Sequence, residues 1–211
     1  MDATTLISRS DYRLFKGPRL AVIDTQNGNR ITFDGLIADH PTYQHIPAEF
    51  KQGIDATTWF GPSDYRLFKG PRLVVIDTTN GNRLAFDGKI ADHDTYKNIP
   101  EDFKQGIDAT TLIGRSDYRL FKGPRLVVID TQNGNRITFD GLIADHPTYQ
   151  HIPAEFKQGI DATTWFGPSD YRLFKGPRLV VIDTTNGNRL AFDGPIADHP
   201  TYQNLPPFWT N

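Results

Sequence analysis

Hydrophobic positions along this chain come in short β-branched and aromatic runs, each cut by a turn cluster. Between Ile54 and Gly106, the run Ile54-Asp55-Ala56-Thr57-Thr58-Trp59-Phe60 ends at Gly61-Pro62-Ser63-Asp64, and Tyr65-Arg66-Leu67-Phe68 ends at Lys69-Gly70-Pro71. Both read as strands closed by turns. Arg72-Leu73-Val74-Val75-Ile76-Asp77 is a third strand, whose unbroken apolar centre predicts cover on both faces. Asn80-Gly81 marks a hairpin loop before the fourth strand, Arg83-Leu84-Ala85-Phe86-Asp87. Four short antiparallel strands in succession make a meander. The remaining segments, Ile90-Ala91-Asp92-His93 and Pro100 to Gly106, are too short for full helices. Pro100 suits a first helical turn and Gly106 its end.

The pattern recurs. SDYRLFKGPR stands unchanged at Ser10, Ser63, Ser116 and Ser169, 53 residues apart each time, dividing the chain into units 1–53, 54–106, 107–159 and 160–211. One such unit is too small to bury a good core alone, so 1–211 is expected to form a single closed domain. Four-stranded meanders arranged radially become propeller blades, each sheet packed on its neighbours. The expected fold is all-β: a four-bladed β-propeller, each blade a four-stranded antiparallel meander followed by a short helical segment. An open solenoid competes, but solenoids carry polar capping repeats. Here the outer units are as apolar as the middle ones, and the last runs into Leu205-Pro206-Pro207-Phe208-Trp209.

Composition narrows the function classes. With 37% hydrophobic, 12% aromatic and 23% charged residues, the chain reads as a soluble globular protein. A net charge of −2 argues against nucleic acid or acidic lipid held mainly by charge. No run approaches the roughly 18 apolar residues of a membrane span, and no signal-peptide pattern follows Met1. The lack of cysteine excludes disulfides and thiolate metal sites and leaves the compartment open.

These motifs together resemble the hemopexin-like repeat. The residues that carry the likeness are the Ile54-Asp55-Ala56 opening, the Leu67-Phe68-Lys69-Gly70 hairpin, Ile76-Asp77, the helical start at Ile90 and Asp92, and Ile99-Pro100 with Phe103 leading into Ile107. The resemblance runs through essentially the whole chain, four times in order, and implies a four-bladed propeller. Members of that family commonly join first and last blades by a disulfide, so closure here falls to packing, through Phe208 and Trp209. They also often carry Trp-Pro where this chain has His40-Pro41, His93-Asp94, His146-Pro147 and His199-Pro200. Units one and three differ only at Met1/Ile107, Ser8/Gly114 and Ala21/Val127, while two and four share the variants Trp-Phe-Gly-Pro and Leu-Ala-Phe. A two-blade cassette written twice points to an engineered, symmetrised hemopexin-like protein, with a recent natural duplication as the alternative.

In a propeller the first strand of each blade lines the central channel, which brings Asp2, Asp55, Asp108 and Asp161 near one axis. Four oxygens around an axis can hold a hard cation. The resemblance implies that Ca²⁺ or Na⁺ is held mostly by backbone carbonyls at these aspartates. It also implies an anion (chloride) against the backbone amides of Thr4, Thr57, Thr110 and Thr163. The other reading has the aspartates capping turns or pairing with arginines around a channel of water. The pairs His40/His45 and His146/His151 are five residues apart and share no helix face. They and His93 and His199 read as surface or hydrogen-bonded groups, and no heme is expected, since the namesake uses two propellers and a linker. Asp24 to Asn29 fails the calcium-loop spacing, leaving Asn27-Gly28 and its three equivalents as hairpin turns. Arg66, Lys69 and Arg72, with their repeats, read as a solvated hairpin edge.

Catalysis finds little support: there is no cysteine nucleophile, phosphate loop or G-x-S-x-G elbow. Fourfold repetition also opposes the convergence of unlike groups. The chain is therefore expected to be a non-enzymatic, monomeric structural scaffold with an ion on its axis, requiring no partner, nucleic acid or membrane. The alternative is a recognition module that takes a protein or small ligand at the channel mouth or blade tops.

Overall fold

The apolar runs become strands where the pattern placed them. The computed structural model describes residues 1–8 and 10–211, and in it sixteen strands form four separate antiparallel sheets, each paired in chain order. Blade 1 holds β1 (Ala3–Ile7), β2 (Asp11–Lys16), β3 (Arg19–Asp24) and β4 (Arg30–Leu36). Blade 2 holds β5 (Ala56–Gly61), β6 (Asp64–Lys69), β7 (Arg72–Asp77) and β8 (Arg83–Lys89). Blade 3 follows with β9 (Ala109–Ile113), β10 (Asp117–Lys122), β11 (Arg125–Asp130) and β12 (Arg136–Leu142). Blade 4 completes the set with β13 (Ala162–Gly167), β14 (Asp170–Lys175), β15 (Arg178–Asp183) and β16 (Arg189–Pro195). Around the axis β1 lies beside β5 and β13, and β9 lies beside the same two, so the ring is closed.

Burial follows position in the blade. The four central residues of β3 and its equivalents are buried, as an apolar run covered on both faces requires. The outer strands β4, β8, β12 and β16 alternate between exposed and half-buried. A register shift at Val22/Ile23, repeated in every blade, adds local twist between third and fourth strands.

Among the described residues the apolar interior is divided over the four blade junctions. Leu20, Val22, Ile37 and Phe50 of blade 1 pack with Tyr65, Leu67 and Val74 of blade 2. The closing junction packs Phe174, Leu179, Leu205 and Trp209 against Met1, Tyr12, Leu14 and Ala21. Each fully buried aliphatic or aromatic side chain contributes about 1.5–3 kcal/mol, so a blade is stable because both its neighbours are present.

Two details differ from the sequence expectation. A second 3₁₀ turn, Pro41–Tyr43 in blade 1 and Asp94–Tyr96 in blade 2, follows each first one and buries its tyrosine. The turn between β3 and β4 spans five residues, and its left-handed pair is Gly28 (φ 68°) and Asn29 (φ 55°) rather than Asn27-Gly28. A two-residue hairpin would need the left-handed conformation at both Asn27 and Gly28.

Candidate functional site

Because β1, β5, β9 and β13 ring the axis, their threonines line it. A cavity of about 210 Å³ is bounded by two tiers of hydroxyls, Thr4, Thr57, Thr110 and Thr163 in one and Thr5, Thr58, Thr111 and Thr164 in the other. Leu6, Trp59, Leu112 and Trp165, one residue further along each strand, also line it. Thr4 Oγ1 lies 2.5 Å from Thr164 Oγ1, and Thr58 Oγ1 donates to Thr110 Oγ1 at 3.0 Å, so hydroxyl pairs bridge the junctions of blades 4 and 1 and of blades 2 and 3. Thr57 Oγ1 instead donates within its own blade, to the Arg66 carbonyl at 3.0 Å. The buried Thr163 Oγ1 has no partner in hydrogen-bond geometry among the described residues.

The four aspartates do not line this cavity with their side chains. Asp2 Oδ2 accepts the Gly17 amide at 2.6 Å, and Asp55, Asp108 and Asp161 accept the amides of Gly70, Gly123 and Gly176 at 2.7 Å. Each carboxylate thus braces the turn between second and third strands of its own blade, where the glycine is left-handed (φ 54° at Gly17). Among the described residues no group of three or more His, Cys, Asp or Glu side chains could hold a metal ion. The side-chain donor set at the axis is therefore neutral hydroxyl. A threonine hydroxyl offers lone pairs to a cation and its O–H to an anion.

The strongest electrostatics lie at the junctions. Arg13 binds Asp11 through Nε at 2.9 Å and Nη2 at 2.7 Å, and donates from Nη1 to Tyr43 Oη at 2.8 Å. Tyr43 Oη in turn meets Tyr65 Oη of the next blade at 2.8 Å. The same chain runs through Arg66–Tyr96–Tyr118, Arg119–Tyr149–Tyr171 and Arg172–Tyr202–Tyr12, so four arginines stitch four junctions. Burial pushes these tyrosine hydroxyls up, Tyr12, Tyr65, Tyr96 and Tyr171 well above the usual range, so they remain neutral donors. The expected solvated hairpin edge is thereby corrected at Arg66, which is 5% exposed; Arg72 stays at the surface, paired with Glu49 and Asp87, and Lys69 Nζ donates to the Gly53 carbonyl at 2.8 Å. Nothing in the sequence warned of this at the arginine, because its tyrosine partner lies 30 residues away and the second tyrosine stands in the next blade.

The histidines serve structure as well. His40 Nδ1 accepts the Thr42 amide at 3.2 Å, and its ring meets Phe33 edge-on at 5.0 Å between ring centres. That bond leaves the proton on Nε2, so the lone pair a metal would take is already engaged. His93, His146 and His199 repeat the arrangement. His45 and His151 are exposed and stand apart from it.

Solved structures of the same shape exist. A 2S albumin seed protein from Dolichos is 24% identical over 98% of this chain and 99% of its own, with a TM-score of 0.81. A hemopexin fold protein from cow pea is 22% identical over 98% of each chain, with a TM-score of 0.76. A plant lectin with two metal binding sites from Cicer arietinum is 21% identical over 98% of each chain, with a TM-score of 0.80. No family model matches the chain, and no curated protein does. The fold is the four-bladed propeller of these hemopexin-fold proteins and seed albumins.

Proposed function

We propose that this chain is a non-catalytic propeller scaffold, a symmetrised version of the hemopexin-like repeat, whose axial channel holds a structural ion. The observation that carries this reading is the hydroxyl-lined cavity where the four first strands meet. A Ca²⁺ or Na⁺ ion would be held by the backbone carbonyls at Asp2, Asp55, Asp108 and Asp161, with chloride at the amides of Thr4, Thr57, Thr110 and Thr163. Such an ion would supply charge that ties four strands belonging to four different blades. The aspartate side chains, spent on turn amides, would act only by keeping the strand entrances in place. The Cicer arietinum lectin, named for two metal binding sites, lends support, since it shares the fold.

The non-enzymatic part of the proposal rests on where the perturbed groups sit. The buried arginines and tyrosines and the half-buried histidines are each engaged by partners that join segments of the ring. No helix of the structure is long and apolar enough to cross a membrane among the described residues. The scaffold is proposed to work as a monomer without nucleic acid, membrane or heme. A recognition role remains the second reading, favoured by one feature: Trp59 and Trp165 are half-buried at the cavity and face it from opposite blades.

Melting in chelator, in millimolar calcium, and in chloride against a bulky organic anion tests the ion. At a hundredfold excess over its Kd, a ligand that binds only the folded state adds about 2.7 kcal/mol. For a domain of this size that is a rise of about 5–10 °C. Identical melts in all these buffers, with no ion density on the axis at high resolution, would refute the proposal.

A further inference from the structure

We propose that the four turns between third and fourth strands are sites of spontaneous deamidation running at two rates. Asn80 and Asn186 convert to aspartate and isoaspartate ahead of Asn27 and Asn133. In each turn the asparagine and the following glycine are exposed, and a Cβ added at Gly28, Gly81, Gly134 or Gly187 would meet nothing within 4 Å. Each of these glycines is left-handed, with φ between 65° and 68°, so the residue after the asparagine carries no side chain to obstruct attack.

The reaction needs only water. The glycine amide nitrogen, having lost its proton, attacks the asparagine Cγ. The new C–N bond closes a five-membered succinimide, and the Cγ–Nδ2 bond breaks to release ammonia. Water then opens the ring at either carbonyl, giving aspartate or, with the backbone rerouted through the side chain, isoaspartate. Nothing is oxidised or reduced. Asparagine is a thermolabile residue for this reason.

The two cassette halves differ in how the turn is clasped. In blades 1 and 3 the attacked side chain is tied down: Asn27 Nδ2 donates to Asp24 Oδ2, and Asn133 Nδ2 to Asp130 Oδ2, each at 2.6 Å. Asp24 Oδ1 also takes the Gln26 and Asn27 amides at 3.1 and 3.3 Å. This anchors Cγ toward the carboxylate and away from the glycine nitrogen. In blades 2 and 4 a threonine takes that carboxylate instead: Thr79 donates to Asp77 Oδ1 from its hydroxyl at 2.5 Å and its amide at 2.9 Å, and Thr185 does the same to Asp183. The side-chain amides of Asn80 and Asn186 make no hydrogen bond among the described residues, and their Cγ atoms are free to turn toward the glycine nitrogen. The Gln/Thr exchange at one turn position therefore sets the rate.

The folded full-length protein, incubated at mildly alkaline pH and digested with trypsin, reports the sites separately. Peptides 20–30 and 126–136 differ at Ala21/Val127, while 73–83 and 179–189 are identical and report together. The shared peptide is expected to gain its unit mass increment and isoaspartate about fivefold faster than either of the others, the factor that about 1 kcal/mol of anchoring gives. Asp24→Ala should bring Asn27 to the fast rate and leave Asn133 slow. Gln26→Thr, which keeps the carboxylate, should do the same. In urea all four should react at one rate. Equal rates in the folded protein, no response to either substitution, or a difference that persists in urea would each overturn the proposal.

Discussion

At the scale of single residues, the four half-buried histidines concentrate the acid sensitivity of this protein. Burial first, and the charge of the nearby buried arginine second, push His40, His146 and His199 down to about 4 and lower His93 as well. In the unfolded chain an imidazole titrates near ~6.5. Between those values the unfolded state binds more protons than the folded one. The stability these groups contribute is therefore complete above about pH 6.5 and drains away as the pH falls toward 4. Protonation at Nδ1 would also break the bond from the following threonine amide. The urea midpoint is expected to fall steadily over that window. His146→Asn, whose carbonyl oxygen can still accept the Thr148 amide, should shallow the fall, and a midpoint unchanged over the window would contradict the account. Asp24, Asp130 and Asp183 are held below the usual carboxylate range by hydrogen bonds from turn residues, so their losses come only below about pH 3.8 and are separable. The histidines were legible in the sequence as hydrogen-bonded groups. The buried arginines beside them were not, since Arg-in-strand reads as solvated until Tyr43 and the next blade's Tyr65 are seen to close over Arg13.

Among elements, the closing segment Pro207–Thr210 behaves unlike its counterparts. Three blades place Phe50, Phe103 or Phe156 at the junction, and the fourth places Trp209 there, 1% exposed, with Nε1 donating to Asp34 at 3.3 Å. Phe208 is 46% exposed, with Lys16 and Arg19 over its ring at 5.1 and 5.3 Å. Lys16 Nζ donates to the Phe208 and Asn211 carbonyls at 2.8 and 2.6 Å, where Lys69, Lys122 and Lys175 hold a glycine carbonyl. Closure by packing was expected of both aromatics; Trp209 alone is buried. Trp209→Ala should therefore cost about 3–5 kcal/mol in denaturant unfolding, and Phe208→Ala no more than about 1 kcal/mol. Trp209→Phe should fall between, because phenylalanine already fits that position three times. A larger loss at Phe208 than at Trp209 would reverse the assignment. Strand positions were readable at this scale because alternation and turn clusters are local. The five-residue turn was not, because Asn-Gly marks a reversal without saying which residue adopts the left-handed conformation.

For the whole molecule, symmetry makes a stronger claim than closure alone. Junctions 1–2 and 3–4 join the same two kinds of blade, and junctions 2–3 and 4–1 the other pairing. A fragment 54–159 keeps blades 2 and 3 and the Phe103 segment that seals them, but its Phe156 segment loses Tyr171, Leu173, Val180 and Ile182 of blade 4. Blade 2 of a second copy presents Tyr65, Leu67, Val74 and Ile76, the residues that face Phe50 in the intact ring. Glu155 would meet Arg72 of that copy as Glu49 meets Arg72 in the native chain. Two fragments related by a twofold axis therefore rebuild four junctions without a new contact, an isologous closure. Association costs about 4–15 kcal/mol in lost freedom, which the covalent chain does not incur, so the dimer should melt lower than the intact protein and in a concentration-dependent way. Light scattering at micromolar concentration should give twice the fragment mass with a β-sheet circular dichroism spectrum. A folded monomeric fragment would mean that one junction suffices to hold two blades, and the division of the core into four interdependent clusters would have to be abandoned.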